Sequence, residues 1–211
     1  MYIAPMNERK APGKRGAGQT ARVISSRTAF RGKVFQVTVD EVVEPTGIRV
    51  RRDTVRHQGS VVIMPVDDSG PEPRVLVERQ YRYPAGDFLW EFPAGRIDEG
   101  ESELAGAKRE LLEETGYTAR RWKRVMLFFV SPGFMNETMA IYLAEGLTPG
   151  KSQPEADEVI SHRFFPLSAL LRKAVNGKLR DGKTIAGVLW LGQLFAGKQR
   201  RTQPELDGKS R

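Results

Sequence analysis

A chain of 211 residues with a formal charge of +8 and no cysteine is long enough for one substantial core, and it excludes disulfides, thiol nucleophiles and thiolate metal sites. No apolar run approaches the roughly 20 residues of a membrane span, and the opening MYIAPMNERKAPGKRGAGQT lacks the apolar centre of a secretory signal, so a cytoplasmic protein is expected. His57 and His162 are the only histidines, so any metal would be held by carboxylates, which favours Mg²⁺ or Mn²⁺.

Residues 1–20 read as a disordered basic tail, with Pro12, Gly13, Gly16 and Gly18 among charges and little apolar area to offset chain entropy. Residues 21–57 form a β element: Val34, Phe35, Val37 and Val39 precede a Pro45-Thr46-Gly47 turn, and Val50 to Val55 follow it. Residues 58–197 read as the main domain. Core strands are expected at Val61–Val66 and Val75–Val77, a short strand at Phe88–Phe92, then strands at Val125–Val130 and Met139–Leu143 around a loop from Ser131 to Glu137. Apolar residues at turn spacing predict helices over Leu167–Val175 and Thr184–Leu194, before a flexible tail at 198–211. The positive charge gathers early and late in the chain, while the centre is acidic. No aromatic-rich RNA module or basic reading helix accompanies it, so nucleic acid is not the expected partner.

The acidic centre, GRIDEGESELAGAKRELLEETGY from Gly95 to Tyr117, has a mechanical logic. Gly95 permits a tight entry from the preceding strand, Gly100 a second turn before a helix begins near Ser102, and Gly116 the helix exit. At 100° per residue Leu104, Ala107, Leu111 and Thr115 share one face and can anchor, while Glu110, Glu113 and Glu114 converge on another. Three like charges held so close call for neutralising cations. Arg109 can reach Glu113 one turn along. The alternative is an ordinary solvated face with a surface ion pair.

Gly95, five residues, Glu101, seven residues, then Arg109, Glu110, Leu111, Glu113, Glu114, Gly116 and Tyr117 resemble the complete box of the Nudix hydrolases, with no fixed position departing from the pattern. The resemblance extends over roughly residues 25 to 195. Glu78-Arg79-Gln80-Tyr81-Arg82-Tyr83-Pro84, Trp90-Glu91-Phe92-Pro93-Ala94-Gly95 and Ser131-Pro132-Gly133-Phe134 look like the ADP-ribose pyrophosphatase branch, and Pro132 matches the marker that separates it from other Nudix hydrolases. The resemblance implies an α/β/α sandwich with a mixed central sheet and an additional N-terminal antiparallel sheet.

It also implies a metal-dependent hydrolase of ADP-ribose, giving AMP and ribose 5-phosphate. Other nucleoside diphosphate derivatives, such as GDP-mannose, a flavin or a dinucleotide, are the rival substrates, and a nucleotide-sensing protein without turnover is the rival class. Carried onto this chain, the metal ligands are the Ala94 carbonyl, Glu110 and Glu114, with Glu113 either sharing the metal or supporting its ligands from behind, and Glu101 either binding through water or bracing Arg109. The family's base lies in a loop after the central strands. Here Glu155 leads, Glu158 competes and Asp157 stays open. Arg82 resembles a diphosphate clamp, and Phe134 and Glu137 belong to the substrate loop, Glu137 facing the terminal ribose. The N-terminal sheet of this branch exchanges across a homodimer, which makes Arg51, Arg52 and Phe35 candidates for reaching the partner's adenosine site.

Overall fold

The computed structural model describes residues 20–152 and 160–202, with side chains as far as 197 in the last stretch. They divide into two compact units. The first comprises the described residues up to His57 together with Ser131–Glu137, and the second comprises the rest.

In the first unit three antiparallel strands, β1 (Arg22–Arg31), β2 (Gln36–Val43) and β3 (Arg49–Arg56), lie in the order β1-β2-β3. The expected turn closes β2 onto β3: the Gly47 N–H donates to the Glu44 carbonyl at 2.8 Å, and the pairing runs from Val43 with Arg49 to Gln36 with Arg56. Asp40 is buried, and its carboxylate accepts from Ser26 (2.5 Å), Thr38 (3.1 Å) and Arg56 (2.5 Å). The Ser26 bond, helped by Arg56 and Thr38 against the cost of burial, holds that carboxyl below its ordinary range. Val42 is the one buried apolar residue that this sheet contributes among those described, and β1 is exposed along its whole length.

The segment Ser131–Glu137 is bound to β3. The Val55 N–H donates to the Phe134 carbonyl at 2.8 Å, the Asn136 N–H donates to the Val55 carbonyl at 3.1 Å, and the His57 N–H donates to Asn136 Oδ1 at 2.7 Å.

The second unit is a seven-stranded mixed sheet. Strands β10 (Ile160–Pro166), β5 (Arg74–Arg82), β4 (Ser60–Asp67), β9 (Thr138–Thr148) and β8 (Thr118–Phe129) lie in that order, with β6 (Asp87–Glu91) on β5 and β7 (Ala94–Arg96) on β4. Only β4 and β9 run parallel. Helix α1 (Glu103–Thr115) belongs to one face, where Ala107 and Leu111 pack on Val61, Ile63, Ala140 and Tyr142. Helices α2 (Leu167–Val175) and α3 (Gly182–Thr202) cover the other, where Val62, Met64, Val66, Phe92 and Ile141 pack on Leu170, Val188 and Leu191. Burial on both faces explains why β4 reads as an unbroken apolar run rather than an alternation. The α/β/α sandwich with its added antiparallel sheet is therefore the fold of this chain.

Several local expectations need correction: β5 runs on to Arg82 and β9 to Thr148, past the expected ends at Val77 and Leu143. β8 begins at Thr118, not Val125, because Ala119 and Trp122 already pack against the α1-side core while Arg120, Arg121 and Lys123 point outward. A bulge between Arg124 and Met126 then breaks the two-residue period and hides the strand from a pattern reading. Leu104, expected as an anchor, stays exposed on the first turn of α1. Finally, α3 continues to Thr202, past the expected start of the tail at 198.

Candidate active site

The site is built around α1. Ser102 caps it, its Oγ accepting from the Ala105 N–H at 3.2 Å, and Gly116 ends it in the left-handed region at φ 74°. A side chain at Gly116 would also strike the backbone of Lys151 and Ser152. Complete burial of Leu111 stabilises the helix on the sheet by about 1.5–3 kcal/mol and fixes the rotation of its glutamates.

Arg109 organises one side of the helix. Its Nε and Nη2 grip both oxygens of Glu101 at 3.0 and 2.9 Å, and its Nη1 bonds Glu110 at 2.7 Å and Glu113 at 3.1 Å. Nη2 also donates to the Arg96 carbonyl at 3.0 Å. The anticipated contact with Glu113 is present, and Glu101 bonds Arg109 through both oxygens. The Glu101 bond, with Glu110 and Glu113 outweighing burial, raises the guanidinium far above its ordinary value. Arg109 in turn holds Glu101 below the usual carboxylate range.

Glu114 and Glu110 meet the strand that precedes the box. Glu114 is 4% exposed and accepts the Ala94 N–H at 3.0 Å. Gly95 approaches α1 so closely that a Cβ there would collide with the Glu110 carboxylate, which gives this glycine a steric reason rather than the turn anticipated for it. Pro93, not Ala94, supplies the carbonyl that accepts the Ile63 N–H of β4, at 2.9 Å. The alternation of an antiparallel ladder thus turns the Ala94 carbonyl away from β4.

Among the described residues no group of three or more acidic or histidine side chains is drawn together as a metal cage. Glu110 and Glu113 bond Arg109, Glu114 bonds the Ala94 N–H, and the Glu110 carboxylate lies beside Gly95. The donor chemistry fits a hard divalent ion: Glu114 meets the Ala94 peptide, the Glu110 carboxylate lies against Gly95, and the donors are oxygens.

Arg82, at the end of β5, donates from Nε and Nη2 to the two oxygens of Glu91 at 2.9 and 2.8 Å. Burial pushes the Glu91 carboxyl up, but Arg82 and Lys183 together outweigh it and hold it below the ordinary value. Burial likewise presses the Arg82 guanidinium down, and Glu91 more than reverses this. The sequence pattern gives Glu91 a place in the approach to the box but no role, and it gives Lys183 none. Their partnership spans 92 residues, so only the lone carboxylate in the apolar run Phe88–Phe92 could have drawn attention to Glu91.

The remaining candidates belong to the first unit. Arg51 bonds Asp53 at 3.2 Å, Arg52 bonds Glu44 at 3.0 and 2.6 Å, and Phe35 sits 5.9 Å from Phe30 between ring centres. Phe134 is 56% exposed, whereas Glu137 is largely buried with an oxygen 3.6 Å from His57 Nδ1. Glu155, Asp157 and Glu158 lie outside the described residues, just before β10.

Residues 56–186 match the NUDIX domain, and the chain belongs to that family. Over 171 residues it is 38% identical to an ADP-ribose pyrophosphatase of Mycobacterium tuberculosis, covering 79% of this chain and 80% of that protein. It is 33% identical over 172 residues to an ADP-ribose pyrophosphatase of Bacillus subtilis, covering 81% and 91%. A GDP-mannose pyrophosphatase of Yersinia pestis is 31% identical over 160 residues, covering 72% and 78%. The crystal structure of an ADP compounds hydrolase shares the fold, with a TM-score of 0.71 at 22% identity over 86% of this chain and 97% of that one.

Proposed function

We propose that this chain hydrolyses ADP-ribose to AMP and ribose 5-phosphate with Mg²⁺, for which Mn²⁺ can substitute. The observation that carries the reading is the tie between Glu114 and the Ala94 peptide beside an Arg109-ordered Glu110. This joins the two elements from which the resemblance draws its ligands. Two relatives named ADP-ribose pyrophosphatase support the substrate.

The Ala94 carbonyl, Glu110 and Glu114 would hold the metal, with Glu113 shared. When bound it supplies positive charge against the phosphate oxygens, where negative charge grows as the phosphorus–oxygen bridge breaks. Arg109 keeps Glu110 and Glu113 in fixed rotamers. Arg82 meets the diphosphate through a charge-assisted contact. Glu155 takes the proton of the attacking water, with Glu158 the competing base. Phe134 and Glu137 are the substrate-loop candidates, Glu137 for the terminal ribose.

A homodimer formed through the N-terminal sheet would bring Arg51, Arg52 and Phe35 to the partner's site. The exposure of Val23, Ile24, Phe30, Val34 and Phe35 on a sheet with almost no core of its own supports that association.

The test is a screen of the purified enzyme with Mg²⁺ over ADP-ribose, GDP-mannose, flavin and dinucleotide diphosphates and nucleoside triphosphates, with products identified. ADP-ribose should show the highest kcat/KM by about tenfold or more, a margin worth about 1.4 kcal/mol of transition-state binding. GDP-mannose in first place would transfer the assignment to the second reading, which the Yersinia relative favours. A lead for triphosphates would reject both.

A further inference from the structure

The first turn of α3 enters the site from the opposite face of the sheet. Asp181 caps the helix, accepting from the Thr184 N–H at 3.0 Å and the Thr184 hydroxyl at 2.5 Å. Thr184 is fully buried, and its Oγ1 accepts the Phe92 N–H at 2.8 Å, two residues before Ala94. Lys183 is 8% exposed and donates to Asp181 Oδ1 at 3.0 Å and to Glu91 Oε2. That same Oε2 accepts from Arg82 Nη2. Arg82 keeps 37% of its side chain exposed, and among the described residues its Nη1 has no bond.

We propose that Lys183 is a positioning residue for Arg82, acting through Glu91 so that the open edge of the guanidinium is fixed toward an anionic diphosphate. The inference rests on the reading of Arg82 as the diphosphate contact. A buried lysine has a high desolvation cost, and Asp181 already gives Lys183 a carboxylate partner while Arg82 gives Glu91 a bidentate one, so neither charge needs the Lys183–Glu91 contact for neutralisation. Its geometric effect is clear. Held by Arg82 alone, Glu91 and Arg82 could swing together as a two-body hinge. A second donor from α3 fixes the carboxylate, and the planar bidentate geometry of the fork then fixes the plane of Arg82. Lys183 also draws charge from Oε2, which leaves more of the Arg82 charge for a ligand.

The test is a double-mutant cycle with Arg82→Ala and Lys183→Met. It is read by calorimetric binding of ADP in Mg²⁺ buffer, by KM and kcat on the preferred substrate, and by thermal melting. Lys183→Met should weaken ADP binding about tenfold, within the coupling known for residues in contact, and raise KM more than it lowers kcat. The double variant should bind no more weakly than Arg82→Ala alone. Lys183→Arg, which retains a donor, should return to within about twofold of wild type. If Lys183→Met does not fold, Glu91→Gln completes the same cycle with the same expectation.

Wild-type ADP affinity in Lys183→Met, or a double variant whose loss is the product of the two single losses, would overturn the proposal. Failure of the wild-type chain to bind ADP would overturn it together with the role of Arg82. An ADP-binding chain that shows the expected cycle but does not hydrolyse ADP-ribose supports the positioning role and rejects only the substrate.

Discussion

Glu114, in the last turn of α1, accepts the Ala94 N–H at 3.0 Å and so ties the helix to a strand twenty residues earlier. Replacement by Gln should keep that bond, because the amide oxygen can still accept it, while removing the negative charge. Folding is therefore expected to survive, and kcat to fall on the order of 10²-fold with a shifted Mg²⁺ dependence. Thermal melting and Mg²⁺ titrations of turnover check this, and near-normal kcat with an unchanged Mg²⁺ curve would sink the ligand role.

Arg109→Lys separates charge from geometry. Lysine keeps the cation but cannot grip both oxygens of Glu101 while also reaching Glu110, Glu113 and the Arg96 carbonyl. A loss of about tenfold in kcat is expected, the lower end of the range for residues that orient metal ligands. Arg109→Ala should do worse and also lower the melting temperature, since Glu101, Glu110 and Glu113 would then face one another without a cation. Full activity in the lysine variant would mean that charge alone suffices.

Gly95→Ala places a methyl group where the Glu110 carboxylate lies. The obstacle is the end of a flexible side chain, so Glu110 should move rather than the fold fail. Denaturant unfolding should show a loss within about 1–3 kcal/mol, while kcat drops at least about tenfold. An alanine variant with native turnover would remove Glu110 from the machinery.

Acid should expose the contribution of Glu91. Its carboxyl titrates in the folded chain below its ordinary value of 4.5, so the unfolded chain binds its proton first as the pH falls. The stabilisation is complete above pH 4.5 and disappears as the pH drops through the lowered folded value. Glu91→Gln has no such proton to bind. Unfolding free energies measured over a pH series should therefore fall more steeply in acid for the wild type than for the variant, and parallel curves would show that Glu91 titrates alike in both states.

The box was legible because its spacing is local. Leu111, Arg109 and Gly116 act within one helix whose period is visible in the letters. The strands β7 and β8 were not read at their true lengths. Ala94-Gly95-Arg96 carries no β-branched residue, and the basic side chains and bulge of β8 conceal its alternation. Glu91 with Lys183, and Glu137 with His57, meet only after the chain has folded, so their pairing leaves no periodic signal. The reading of Gly95 found the right residue with the wrong reason, because a close approach between elements is a tertiary fact.

The ties from Val55 to Phe134 and Asn136, and from His57 to Asn136 and Glu137, make the first unit discontinuous in the gene. A deletion ending at His57 would therefore not remove a self-contained cassette. It would also strip the proline-bearing segment at 131–137 of its hydrogen bonds to Val55 and His57. Insertions and deletions that a terminal extension would ordinarily tolerate should be constrained here, and grafting this sheet onto another member of the family would require transplanting the distant segment with it.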